Sequence, residues 1–137
     1  MSARGSFRAI ARAALAADPR MSGFTLLSAW AGGINAELLP VIGVVTPQER
    51  VAPLTLKQAQ RTLRLQVVAK RLGAAELEDE IDLDADAIEA CVTAAMHAEG
   101  IRCLPEDITT TLNGEGEQRI GTVVVSFGIE YRRPIGG

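Results

Sequence analysis

Asp82, Asp84 and Asp86 alternate in Asp82-Leu83-Asp84-Ala85-Asp86, the D-x-D-x-D spacing that opens a calcium-binding loop, and this is the sharpest chemical signal in the chain. Such a loop also needs glycine at its sixth position and a bidentate glutamate at its twelfth. Those positions hold Ala87 and Thr93. With Glu76, Glu78, Asp79 and Glu80 the segment gathers seven carboxylates in eleven residues, which repel one another and could attract a divalent ion only weakly. The better reading is an acid-rich helix start, because negative charge is favoured at the positive end of the helix dipole. No metal site is assigned to it.

Nucleophile chemistry has few candidates. His97 is the single histidine, and Cys91 and Cys103 are the two thiols. None of the three has metal-ligand spacing with another. Six residues along a helix turn through about 600°, so Cys91 and His97 would stand about 120° apart and could not work as a pair. The sequence contains no G-x-x-x-x-G-K-[ST], G-x-S-x-G, H-E-x-x-H or strand-linked G-x-G-x-x-G. Gly114-Glu115-Gly116 reads as a hairpin turn. No catalytic, cofactor-binding or metal residue is expected, and the chain is read as a non-enzyme.

The elements that would carry these residues form one domain over 1–137, with 1–5 and 134–137 frayed. A chain of 137 residues with 47% apolar composition can bury roughly two thirds of its unfolded surface without a disulfide or metal. The two cysteines suit free thiols in a reducing compartment. A net charge of −3 gives no drive toward nucleic acid, so sequence-specific nucleic-acid binding is not expected. No apolar run reaches the roughly 18 residues of a membrane span. Arg4, Arg8 and Arg12 without a nearby acid also fit an organellar transit peptide, but Phe7, Ile10, Ala14 and Leu15 form a stripe that favours a packed helix.

Ser6 is read as the cap of that helix, which runs to Ala17 and ends at Asp18-Pro19. Residues 22–38 are a loop with a short helix or strand. A strand over 39–46 follows, its start marked by Pro40 and its end by Pro47, and 47–53 is a loop. Over 61–70 the alternation predicts a strand with Leu63, Leu65, Val67 and Ala69 on one face and Thr62, Arg64, Gln66 and Lys70 on the other. Gly73 breaks it. A major helix over 75–98 places Leu77, Ile81, Ala85, Ile88, Val92 and Ala95 inward, with Asp84 as a possible second start. A strand over 108–112, a turn at 113–116 and a second strand form a hairpin. In that second strand Val123, Val125, Phe127, Ile129 and Tyr131 face one way and Thr122, Val124, Ser126, Gly128 and Glu130 the other. Helix, strands, helix, strands implies an α+β fold: a mainly antiparallel or mixed sheet with two main helices packed on one face.

The outward sheet face then carries the remaining polar features. Arg61, Arg64, Lys70 and Glu130, with Arg132 and Arg133 beyond, are the candidate residues for contact with a neighbouring copy or a partner. The acidic helix start at 76–86 is the oppositely charged second face.

The arrangement also resembles a known family. SFRAIARAALAAD, then LLPVIGVVTPQE, then RTLRLQVVAK, the acid-rich ELEDEIDLDADAIEACV and the closing GEGEQRIGTVVVSFGIEYRR are together similar to the tail-terminator family of long-tailed phages, the group of minor tail protein U. The resemblance spans residues 6–133 and transfers no functional residue; SAWAGGINAE at 28–37 has no counterpart. It implies a structural virion protein that closes as a six-subunit ring on the completed tail tube, stops polymerisation and offers a surface to the head. The implied partners are further copies of itself, the major tail tube protein and a head-completion or neck protein. The implied location is the head-proximal end of the tail, reached from the host cytoplasm. A head-completion or neck ring protein is the nearest rival. A small α+β enzyme or ligand-binding domain, or an acidic regulatory partner of the toxin–antitoxin kind, are rivals from other classes.

Overall fold

The computed structural model describes residues 2–27, 39–114 and 119–135. Its first helix, α1, spans Ala3–Ala17 and is capped by Ser2, whose Oγ accepts the Gly5 N–H at 3.0 Å. Ser6, the expected cap, lies one turn inside and donates its hydroxyl to the Ser2 carbonyl at 3.2 Å. Gly5, the one poor helix former between the two serines, falls in the first turn, where its N–H is held by the Ser2 side chain, so the earlier serine caps and residues 3–5 are helical instead of frayed. Phe7, Ala11 and Leu15 form the buried stripe, with Ile10 and Ala14 half-buried beside it. The helix ends at Asp18, whose carboxylate accepts the Arg20 N–H at 2.9 Å and starts a 3-10 turn over Pro19–Gly23.

Five strands follow in the described residues: β1 Thr25–Leu26, β2 Val41–Pro53, β3 Gln58–Gly73, β4 Arg102–Asn113 and β5 Arg119–Pro134, with helix α2 at Leu77–Ala98 between β3 and β4. The sheet order is β1-β2-β3-β5-β4. β1 runs parallel to β2 and every other pairing is antiparallel. Leu63, Leu65, Val67, Val123, Val125, Phe127 and Ile129 pack in one core with Leu15 of α1 and Ile88, Val92 and Met96 of α2. The fold is α+β, with a mixed sheet and both helices on one face, as the element order implies.

Pro40 precedes the start of β2 as expected, but Pro47 marks a bulge where a strand end was expected. Pairing passes from Val45 opposite Gln66 to Gln48 opposite Arg64, so a bulge absorbs Thr46 and Pro47 and the strand continues to Pro53 through the expected loop. A bulge residue leaves the ladder, so a missing N–H costs nothing there. Pro105 instead keeps its place opposite Phe127 on the outermost strand, and Glu106 after it is the residue that drops out of register; β4 begins at Arg102, well before 108. β3 is also longer than 61–70 at both ends. The expected frayed tail is held through residue 135, where the Ile135 N–H donates to the Lys57 carbonyl at 2.8 Å. Asn113 and Gly114 begin the expected turn, Gly114 with φ of 112°. Glu115, Gly116 and the part of the 22–38 reading beyond residue 27 lie outside the described residues.

The acid-rich start of α2 is partly a fastening. Asp84, read as a possible second helix start, is mid-helix and 1% exposed. Arg71 at the end of β3 grips it with Nε on Oδ2 at 2.7 Å and Nη2 on Oδ1 at 2.8 Å, and Arg20 of the 3-10 turn adds Nε on Oδ1 at 3.0 Å. Arg20 also donates to the Glu80 carbonyl at 3.0 Å and carboxylate at 2.9 Å. Arg71 lies 5.1 Å over the Phe24 ring. Glycines let the helix start seat closely: a Cβ on Gly121 would stand 2.9 Å from Ile81 Cγ2, and one on Gly73 would stand 2.8 Å from Leu77 Cδ1. Asp84→Ala leaves two guanidiniums beside a cavity and is expected to lower unfolding stability by about 3 kcal/mol in urea denaturation. Exposed Glu78→Ala should change it by less than about 0.5 kcal/mol.

Candidate interaction surface

Neither helix covers the second face of the sheet. Alternation places Thr62, Arg64, Gln66 and Lys70 of β3 there, with Val124, Ser126, Gly128, Glu130 and Arg132 of β5, and the register adds Gln48 and Arg50 of β2. Side chains tie the strands across this face. Arg64 donates to Asp107 at 2.9 Å, Gln66 to Ser126 at 3.1 Å and Arg132 to Gln60 at 3.3 Å, and Arg102 meets Glu130 at 3.3 Å. Ion pairs this exposed contribute little stability, so their value lies in presenting charge in a fixed pattern.

The bulges of β2 and β4 fall at one level. Val45, Gln66, Ser126 and Asp107 form one rung across four strands, and Gln48, Arg64, Gly128 and Leu104 form the rung beyond both bulges. Bulges bend the strands that carry them. At this level lies a depression of about 260 Å³ lined by Gln48, Arg50, Thr62, Arg64 and Glu106. Gly128 makes room for the Glu106 side chain, since a Cβ there would stand 3.1 Å from the Glu106 Cδ. Two guanidiniums, a carboxylate, an amide and a hydroxyl can hydrogen-bond a polar partner; they include no activated nucleophile.

Of the expected contact residues, Arg64, Lys70, Glu130 and Arg132 share this face. Arg61 and Arg133 do not. Arg61 has the parity of Leu63, and Arg133 pairs directly with buried Ala59, so both belong to the helix side. Grouping Arg61 with Arg64 breaks the period of two. The acidic second face is also smaller than expected, because Glu80 and Asp84 are engaged by Arg20 and Arg71 while Glu76, Glu78, Asp79, Asp82 and Asp86 stay exposed.

Sequence reasoning missed a polar trio on the helix side. Glu49 accepts from Arg61 Nη1 at 2.9 Å and from the Tyr131 hydroxyl, and the Tyr131 ring meets Phe7 edge-on at 5.2 Å. The Glu49 side chain is 7% exposed and that of Arg61 13%. The available signal was a tyrosine and an arginine at core parity, since a polar tip there needs a partner. Burial pushes the Glu49 carboxyl up, but hydrogen bonds from Tyr131 and Arg61 and the charges of Arg4 and Arg61 outweigh it and hold the carboxyl below its ordinary 4.5. Burial and the Glu49 carboxylate raise Tyr131.

Burial disfavours both thiolates. Burial, aided by the Asp18 charge, pushes Cys91 up to about 11, and burial alone pushes Cys103 to about 11. His97 is exposed and its Nε2 lies 3.1 Å from the Cys103 carbonyl oxygen. Among the described residues no three His, Cys, Asp or Glu side chains converge on a metal position, and no helix is long and apolar enough to cross a membrane. No protein-family model matches the sequence, and no curated protein matches it.

The Glu49 trio stabilises the fold most above the unfolded carboxylate range, and its contribution is lost as pH falls through the depressed folded value. Wild-type stability should therefore drop as pH is lowered from the unfolded carboxylate range through the depressed folded value, and Glu49→Gln should start about 1–3 kcal/mol lower at pH 7 and lose less on the same descent. Thermal unfolding across a pH series measures both.

Proposed function

We propose that the chain is a structural, non-enzymatic subunit of a phage tail, a terminator that closes as a ring on the finished tube and offers its outer surface to the head. The observation that carries this reading is the unequal treatment of the two sheet faces. One is sealed by α1 and α2; the other is left open by the described residues, ordered by cross-strand side-chain ties and bent at a single level. A heterologous interface that closes after a fixed rotation needs two different surfaces on each subunit. The open face supplies Arg50, Arg64, Lys70 and Arg132, and the outer side of α2 supplies Glu76, Glu78, Asp79, Asp82 and Asp86. Opposite charge on these surfaces sets register between neighbours more than it adds affinity.

The order of elements supports the same reading through its likeness to the tail-terminator pattern. A ring of six, the tube protein and the neck protein as partners, and a position at the head-proximal end of the tail all follow from that likeness. High thiol pKa values and the bonding of His97 to a carbonyl support a role without covalent chemistry.

Electron microscopy of particles made after deleting this gene from its element tests the role. Overlong, headless tubes are expected; normal tails beside unjoined filled heads would assign the chain to the neck, and unaltered infectious particles would remove it from virion assembly. Charge reversal by Arg64→Glu with Lys70→Glu should weaken ring formation and reduce its salt sensitivity, read by sedimentation at two ionic strengths.

A further inference from the structure

We infer that copies of this chain join edge to edge, the open edge of β4 pairing antiparallel with the distal half of β2 on a second copy. Among the described residues β4 ends the sheet and is hydrogen-bonded on one side only, to β5. It is a long edge of 12 residues, of which Cys103 alone is buried. A strand edge of this length presents a row of unpaired N–H and C=O groups that template another strand unless lysine, proline or a bulge blocks it. Pro105 and its bulge guard one end. Ile108-Thr109-Thr110-Thr111-Leu112 has no such guard and is rich in β-branched residues.

A second copy holds the matching edge. Among the described residues β1 covers β2 only at Val41 and Ile42, while the stretch of β2 beyond the bulge is largely exposed. Successive antiparallel pairings make β2 and β4 run in opposite directions, so copies that keep the same orientation bring these edges together antiparallel with no inversion. The side chains agree with this. Of nine exposed large apolar residues among those described, Leu104, Ile108 and Leu112 lie on β4, and Val51, Leu54 and Leu56 lie on the distal part of β2 and the turn after it. Leu56 is 98% exposed. Charge is complementary as well: β4 carries Glu106 and Asp107 at its bulge, and β2 carries exposed Arg50 beyond its own. Because the two edges are different surfaces, the contact is head-to-tail and propagates until rotation closes it. The choice of a second copy as the occupant rests on the ring-forming reading, but it puts the seam at the strand edges in place of a contact between the open face and α2; the open edges do not depend on that reading.

Native mass spectrometry of the purified chain over a concentration series, with hydrogen exchange of β4 below and above the association midpoint, tests the pairing. Neighbouring residues in a strand send their N–H groups to opposite edges, so of Thr109→Pro and Thr110→Pro one removes an outward N–H and the other a bond to β5. The expected result is association of wild type with slowed exchange at alternate β4 amides. One proline variant should keep the wild-type circular dichroism yet associate at least tenfold more weakly. A wild type that stays monomeric throughout, or that assembles with β4 exchange unchanged, overturns the pairing, as does a folded proline variant pair that assembles like wild type. Assembly with β4 exchange unchanged leaves the tail role standing. Edge pairing intact beside unaltered particles in the deletion experiment removes the tail role alone.

Discussion

The Asp84 carboxylate is the point at which three separate parts of the chain are fastened. A carboxylate 1% exposed is unfavourable in a protein interior unless its charge and lone pairs are met, and here Arg71 and Arg20 meet them from β3 and from the 3-10 turn. Apolar packing alone is non-directional and would tolerate α2 sliding along the sheet. A bidentate guanidinium contact is directional, so it sets where α2 begins and how the segment after α1 lies against it. Both helices are thereby committed to one face.

That commitment divides the molecule. On the helix side, Phe127, Leu65 and Met96 are completely buried, and the polar groups that intrude there, Glu49, Arg61 and Tyr131, satisfy one another. On the other side, among the described residues, the side-chain ties run between exposed or half-buried groups, apart from the buried Ser126 hydroxyl that accepts from Gln66. A sheet that is hydrophobic on one face and polar on the other needs no second layer to be stable. The open face and its edges therefore carry no packing duty toward the helices.

The bulges connect stability to shape. β2 and β4 each carry a proline, Pro47 and Pro105, next to their irregularity, and both irregularities sit between the same two rungs. Proline lacks the donor that a regular ladder demands, so each outer strand bends where its proline falls. The central strands β3 and β5 stay regular, with Gly128 leaving space for Glu106 to lie over the open face. The result is a polar concavity flanked by long strands, in place of a flat sheet.

Much of this is written in the order of residues. Alternation in 61–70 and 122–131 determines which side of β3 and β5 is apolar, and spacings of three and four determine the buried stripe of α2, because both depend only on local backbone period. Even the misplacement of Arg61 and Arg133 is a lapse in applying that period, not a failure of it. Tertiary structure alone decided what lies far apart along the chain: that Pro47 and Pro105 interrupt strands without ending them, that Asp84 is a buried anchor and not one more acid on a wet helix face, and that Glu49 answers Tyr131. Each of these depends on which strand or side chain stands opposite, and a partner 13 to 82 residues away leaves no mark on local periodicity.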